Sequence, residues 1–283
     1  MSLLRHIGIC NAWEPARFLP FRHGPTLLGL IRRDNAERLR RFPKLFAVGP
    51  DAVKLIAPGN AKTISAAIDR VVEALVADGV IAKWRNEFFA VAERWGAEAH
   101  FNLDRGAVPF FGVRAYGVHL NGYRRIGSKL KLWIGKRAAD KIVAPSKLDN
   151  MVAGGIGVAH GLEETLVKEA AEEAALPMRL ASRAVAVGAV SYRMETKTGL
   201  RNDVLFLYDL ETPAGFKPRN TDGELVSFEL MDADAMVKRM RDTDDFKFNV
   251  ALVNIDFALR HGLIGPDDPE YLDLTVGLHR PID

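Results

Sequence analysis

The sequence predicts a mixed α/β chain built from two units, on three observations. Helical and strand periodicities alternate along its 283 residues. The stretch Gly106–Pro109 punctuates the chain between a first part with few strand signals and a second part rich in them. Charge is also divided: residues 1–150 carry 25 Lys and Arg against 13 Asp and Glu, whereas residues 151–283 carry 14 against 23. The units expected are 1–110, a small α/β unit, and 111–283.

Several classes are excluded at this level. A composition 48% hydrophobic and 27% charged is too apolar for a disordered chain. No apolar run approaches the roughly 18 residues of a membrane span. The opening MSLLRHIGICNAWEPARF lacks an apolar core followed by a small-residue cleavage site, so no secretion signal is expected. The lone cysteine, Cys10, rules out an intrachain disulfide and fits a reducing compartment, the cytoplasm.

Asn35–Arg41 is a charged helical turn stopped by Pro43, and Lys44–Val48 is a short strand closed by Gly49-Pro50. From Thr63, Ile64, Ile68, Val71, Val72, Leu75 and Val76 recur at helical spacing, with Gly79 just past the end. A second helix is expected over Ile81–Trp95. Ala115–Tyr123 and Leu130–Ile134 read as strands with Gly127-Ser128 turning between them. A glycine-rich loop, Met151–Gly161, leads into a charged helix reaching Leu176. Strands are expected at Ala181–Tyr192, Val204–Leu210 and Leu225–Met231, and closing helices at Ala233–Met240 and Asn249–His261.

The chemistry concentrates in Gly154–Leu176, GGIGVAHGLEETLVKEAAEEAAL. On a helix, Glu169, Glu172 and Glu173 stand at i, i+3 and i+4 and share a face, while Leu162, Leu166 and Ala170 form the opposite stripe. Such a set is commonly a solvated face, whose like charges cost a few tenths of a kcal/mol per pair. A hard divalent cation turns that repulsion into binding, because Mg²⁺ prefers oxygen ligands and shares its shell with phosphates.

This segment resembles the Nudix box, the signature of hydrolases acting on diphosphates. The family pattern is Gly, five residues, Glu, seven residues, Arg-Glu, an aliphatic, any residue, Glu-Glu, any residue, Gly and an aliphatic; Gly154, Glu169, Glu172, Glu173 and Leu176 match it in register. Lys168 replaces the Arg, His160 the first Glu, Ala170 a larger aliphatic and Ala175 the Gly. Ala175 is tolerable if the helix ends without a left-handed residue, where Ala would cost about 1 kcal/mol. LWIGKRAADKIVAPSKLDNMVAGG, LRHIGICNAW, RNDVLFLYDLETP and DGELVSFELM are similar to the subgroup that includes the Nudix half of fungal thiamine-pyrophosphokinase fusions. The resemblance implies a Nudix α/β/α sandwich with a mixed sheet at 111–283, preceded by a small N-terminal α/β domain at 1–110.

It also implies a metal-dependent hydrolase cleaving a diphosphate linkage in a small molecule, thiamine diphosphate or its oxidised derivatives being favoured. ADP-ribose or a nucleotide sugar is the alternative substrate, and a catalytically weak diphosphate-binding module the alternative role. Mg²⁺ or Mn²⁺ would be held by Glu169, Glu172 and Glu173, with the Gly154 carbonyl as a further ligand by family analogy. The general base would be Glu169 or the remote Glu224, and Arg137, Lys141 and Lys147 would meet phosphate oxygens. A homodimer is compatible with the resemblance.

Competing readings are weaker. Gly155, Gly157 and Gly161 fall one residue off the dinucleotide fingerprint, and Glu163 and Glu164 would repel a pyrophosphate at that helix start. Arg32, Arg33, Arg38, Arg40 and Arg41 lack the aromatic interleaving of a nucleic-acid surface. Cys10 reads as a packed thiol, and His6, His23, His119 and His261 have no metal-ligand spacing. Trp13, Trp84, Trp95 and Phe110 are read chiefly as core, with stacking on a heteroaromatic ring the alternative. The basic excess is concentrated in 111–150, with 9 Lys and Arg against 2 Asp and Glu, directly before the acidic helix. Cations for phosphate and carboxylates for its metal are therefore expected to face one site.

Overall fold

The computed structural model describes residues 1–281; residues 282–283, the end of the second expected unit, lie outside the described residues. Helix α1 (Leu4–Cys10) opens the chain. Strands β1 (Phe18–His23) and β2 (Thr26–Arg32) form a hairpin turned at Gly24, whose φ of +57° suits a residue without Cβ. Helix α2 (Arg33–Leu39), strands β3 (Phe46–Val48) and β4 (Val53–Leu55), and helix α3 (Ala61–Ala77) follow. The sheet runs in the order β2-β1-β4-β3. Helix α3 begins where the Asn60 side chain accepts the Thr63 N–H, and buries the expected stripe Ile64, Ile68, Val71, Val72 and Leu75.

The helix expected over Ile81–Trp95 is not formed. Its middle is strand β5 (Phe88–Val91), paired antiparallel with β6 (Phe101–Asp104). Burial alternates, with Phe89 and Val91 inward and Ala90 outward, a period of two that the apolar run concealed. The preceding turn is fixed by the buried Asp104 carboxylate, which accepts the N–H groups of Arg85 and Asn86. Helix α4 (Val108–Phe111) then ends at Gly112, at φ +57°, where a Cβ would overlap the Leu30 carbonyl oxygen.

The larger sheet comprises β7 (Arg114–Ile126), β8 (Lys129–Arg137), β9 (Leu148–Asp149), β10 (Val152–Gly155), β11 (Val185–Glu195), β12 (Leu200–Glu211) and β13 (Leu225–Asp232). Its path is β11-β12-β7-β8-β13, with β10 on β7 and β9 on β8; β12 runs parallel to β7, so the sheet is mixed. Strand alternation splits the core into two layers. Val118, Leu120 and Trp133 face helix α5 (Leu162–Ala174) through Leu166, Ala170 and Ala174. Leu132, Ile134, Leu205 and Leu207 face the other way. There they meet α7 (Ala233–Asp242), α8 (Phe248–Arg260), α9 (Tyr271–Leu278) and Ile7 and Cys10 of α1. The result is an α/β/α sandwich. The segment after Pro177 turns first through α6 (Met178–Ala181), so the expected strand Ala181–Tyr192 begins only at Val185. Part of the expected loop Met151–Gly161 is strand β10.

Helix α5 does end in the left-handed region, the case in which an alanine is costly: Ala175 has φ 49° and ψ 34°, and the Leu176 N–H donates to Ala170 O six residues back. A Cβ in that conformation costs about 1 kcal/mol, part of which glycine returns through unfolded-chain entropy. Ala175→Gly is therefore expected to raise unfolding free energy by about 0.5–1 kcal/mol in urea melts.

Candidate active site

Two sequence features bring Gly154 and α5 together. Antiparallel pairing places Gly154 opposite Val118 on the edge strand β10, and Leu166, Ala170 and Ala174 seat α5 on the sheet. The glutamate face of the helix then lies along β10. A Cβ on Gly154 would overlap Glu169 Cγ and Cδ and stand 2.8 Å from Oε2, so a glycine is what lets this carboxylate lie against the main chain. One residue away, the Ala153 N–H donates to Glu173 Oε2 at 2.7 Å.

The three glutamates differ in environment. Glu173 is 4% exposed, and burial pushes its carboxyl well above the usual range; the Ala153 N–H opposes this, while Asp149, Glu169 and Glu224 add to it. Burial also raises Glu169, against the Lys168 ammonium, with Glu172 and Glu87 pushing the same way as burial. Glu172 is the most exposed of the three. Lys168, at the arginine position of the box, donates to Glu172 at 2.8 Å and Glu169 at 3.1 Å; chiefly the Glu172 hydrogen bond raises it to about 12. Among the described residues no three His, Cys, Asp or Glu side chains converge as they stand into a metal cage. Glu172 is turned to Lys168 and Glu173 to Ala153. The donor set nevertheless fits a hard cation: carboxylate oxygens stand on adjacent turns, and the Gly154 main chain is laid bare beside Glu169.

The expected basic residues are distributed unevenly around this face. The buried Arg137 donates to Asp149 Oδ2 at 2.8 Å and lies 3.8 Å from Glu224 Oε2. Lys141 stands 3.5 Å from Glu224 Oε1. Lys147 instead donates to the Asp244 carbonyl at 2.6 Å, pointing toward the loop before α8. Glu224 sits on a turn organised by Asn220, whose side-chain oxygen accepts the Asp222 and Gly223 N–H groups. Its charge reaches Glu173. Asp149 anchors the arrangement: burial opposes its charge, yet Lys247 at 3.2 Å and Arg137 hold it below the usual carboxylate range. Asp149, unremarked in the sequence, is a positioning group for Arg137.

Behind Asp149 lies a buried polar chain. His119 Nδ1 is 2.8 Å from Asn150 Oδ1, and Asn150 donates to both Asn121 and Asn254. Burial, aided by Lys247, pushes His119 down to about 4. The unfolded chain, with an imidazole near 6.5, binds a proton that the folded chain refuses. The contribution of His119 to stability is thus complete above pH 6.5 and declines as pH falls toward 4, by up to roughly 3 kcal/mol. Urea melts between pH 7 and 4.5 are expected to show that loss shrinking in His119→Gln relative to the parent.

The first part of the chain reaches the site as well. A Cβ on Gly155 would lie 2.6 Å from Phe89 Cζ and 3.5 Å from Glu87 Oε1, and the Val158 N–H donates to the Phe88 carbonyl. The misassigned helix hid this contact. Of the aromatics considered for stacking, Phe110 is fully buried, Trp13 packs edge-on to Phe18 and Trp84 on Phe88, whereas Trp95 is 43% exposed. His160, near the end of the glycine segment, is exposed.

Over 95% of its length the chain is 41% identical to Nudix hydrolase 20, chloroplastic, of Arabidopsis thaliana, covering 75% of that protein. The chain belongs to the Nudix hydrolases. Nudix hydrolase 24, chloroplastic, of the same plant is also 41% identical, over 96% of this chain and 76% of its own. Residues 2–115 match a family described as a domain of unknown function, DUF4743. Among solved structures, the Deinococcus radiodurans protein DR0079 shares 19% identity at a TM-score of 0.44, covering 60% of this chain and 97% of that one. The protein is a Nudix-type hydrolase with a mixed α/β fold, and no helix among the described residues is long and apolar enough to cross a membrane.

Proposed function

We propose that this Nudix hydrolase cleaves a diphosphate linkage in a small molecule, with Mg²⁺ or Mn²⁺ held by Glu169, Glu172, Glu173 and the Gly154 carbonyl. The observation that carries the reading is the bare main chain of Gly154 against Glu169 in register with Glu172 and Glu173. When bound, such an ion neutralises phosphate charge and lowers the pKa of coordinated water. The chain's own residues do the rest. Lys168 holds Glu169 and Glu172 at matched separation, and the Ala153 N–H fixes Glu173. Glu224, backed by Arg137 and Lys141, is the proposed proton acceptor for the attacking water, Glu169 being the alternative. Lys141 is the better placed of the basic residues to meet a phosphate oxygen, since Arg137 is held by Asp149 and Lys147 by Asp244.

Thiamine diphosphate or an oxidised derivative is the substrate favoured by the resemblance of the sequence, with ADP-ribose and nucleotide sugars as competitors. Residues 1–110 are proposed as a separate domain abutting the site, a reading supported by the extent of the family match and by the contacts of Glu87 and Phe89; α1 packs with the second unit. A cytoplasmic location is proposed on cysteine usage alone, Cys10 being the single cysteine and buried.

A panel of diphosphates incubated with Mg²⁺, followed by phosphate or monophosphate release, tests the reading. Release from at least one member is expected, and ligand binding without release from any would indicate a binding module. With the best substrate, Glu224→Gln is expected to lower kcat about 10²–10⁴-fold with Mn²⁺ affinity retained. An unchanged kcat would transfer the base to Glu169.

A further inference from the structure

Against the glycine segment lies a cleft of about 200 Å³ whose walls include Phe89, Trp95, Tyr116, Ile156, Gly157 and His160. It is small beside the roughly 300–1,000 Å³ that encloses a whole drug-sized ligand, and matches a single ring system. Its wall is an aromatic platform: the Trp95 ring centroid lies 4.7 Å from Tyr116 and 4.9 Å from Phe206, and the last two stack at 6.1 Å and 19°. Trp95 leaves 43% of its surface open. The Tyr116 hydroxyl oxygen is buried and has no hydrogen-bond partner among the described residues. That hydroxyl lies beneath the cleft surface, so the face offered to a ligand is aromatic.

We propose that this cleft seats the non-phosphate group of the substrate, a planar heteroaromatic ring stacked on Trp95. The inference rests on the diphosphate-hydrolase reading, which it extends from the phosphates to the leaving portion. Gly157 lines the cleft and Gly154 touches Glu169, so the two ends of the substrate lie along one strand of main chain. Three residue steps span at most about 11 Å, a reach suited to a diphosphate linking a ring to the glutamate face. Trp95 and Phe89 both come from the first part of the chain, making that part the wall that selects the ring. Neither residue touches the reacting phosphorus, so both are specificity-determining rather than catalytic.

Two readouts test this. The first compares kcat/KM for thiamine diphosphate, ADP-ribose and an alkyl diphosphate. Trp95→Ala is expected to cost about 10–100-fold on whichever heteroaromatic substrate is turned over, through KM, and to leave the alkyl diphosphate within about twofold. Trp95→Phe restores part of the loss, since a smaller ring still stacks. The second readout needs no turnover. With metal chelated by EDTA, heteroaromatic diphosphates are expected to quench tryptophan fluorescence saturably, the alkyl diphosphate not to, and the quenching to vanish in Trp95→Phe. Equal losses on aromatic and alkyl substrates, or quenching unchanged in Trp95→Phe, would overturn the proposal. Quenching without hydrolysis of any diphosphate would overturn the hydrolase reading and leave the ring site standing, whereas hydrolysis without quenching would do the reverse.

Discussion

Glu173→Gln is expected to abolish measurable Mg²⁺-dependent turnover, a fall on the order of 10³-fold or more, about 4 kcal/mol of transition-state stabilisation. The fold should survive, because the amide oxygen of glutamine can still accept the Ala153 N–H that Glu173 accepts at 2.7 Å. Removing a charge from a residue 4% exposed relieves a desolvation cost, so the variant should unfold at the same or a higher urea concentration. A variant that is dead and more stable distinguishes a functional carboxylate from a structural one. Glu172→Gln is expected to lose activity similarly, with less change in stability, since that side chain is 48% exposed and paired on the surface with Lys168. Wild-type-like turnover in either variant would remove the metal helix from the chemistry.

Gly154→Ala is the second large effect. The added methyl would overlap Cγ and the carboxylate carbon Cδ of Glu169, so the carboxylate must leave its place beside the main chain. Displacement of about 1 Å at a catalytic group is commonly worth about 10²-fold, which is the expected loss in kcat. Gly155→Ala makes a useful contrast: its methyl overlaps Phe89 and leaves Glu169 alone, so substrate binding should suffer more than kcat. Steady-state kinetics on both variants with one diphosphate, accompanied by circular dichroism, separate the two.

Much of this site was legible in the sequence, for a physical reason. Carboxylates at i, i+3 and i+4 share one helix face and an apolar stripe seats the other, so the arrangement of Glu169, Glu172, Glu173, Leu166 and Ala170 follows from spacing, while their proposed metal role follows from the family resemblance. The strands of the larger sheet were equally open to reading because β7, β8 and β12 are long and β-rich. The short pieces were not. Strands β5 and β6 have four residues each, and Phe88–Val91 reads as helix until its partner Phe101–Asp104 is known. That single misreading concealed Glu87 and Phe89 at Gly155 and made Trp95 look like a core residue. Ion-pair choice was hidden too: Arg137 and Lys147 carry the charge a phosphate requires, but only tertiary structure reveals that Asp149 and the Asp244 carbonyl already engage them. Ala175 shows the limit of propensity, since tertiary packing holds an alanine left-handed where the local preference argues against it.

The most direct measurement is a titration of Mn²⁺ into the full chain, followed by electron paramagnetic resonance, for the parent protein and for Glu172→Gln and Glu173→Gln. Saturable binding by the parent, weakened at least about tenfold in each variant with the circular dichroism spectrum unchanged, is the expected result. Identical Mn²⁺ affinity in all three proteins would contradict a metal site on helix α5.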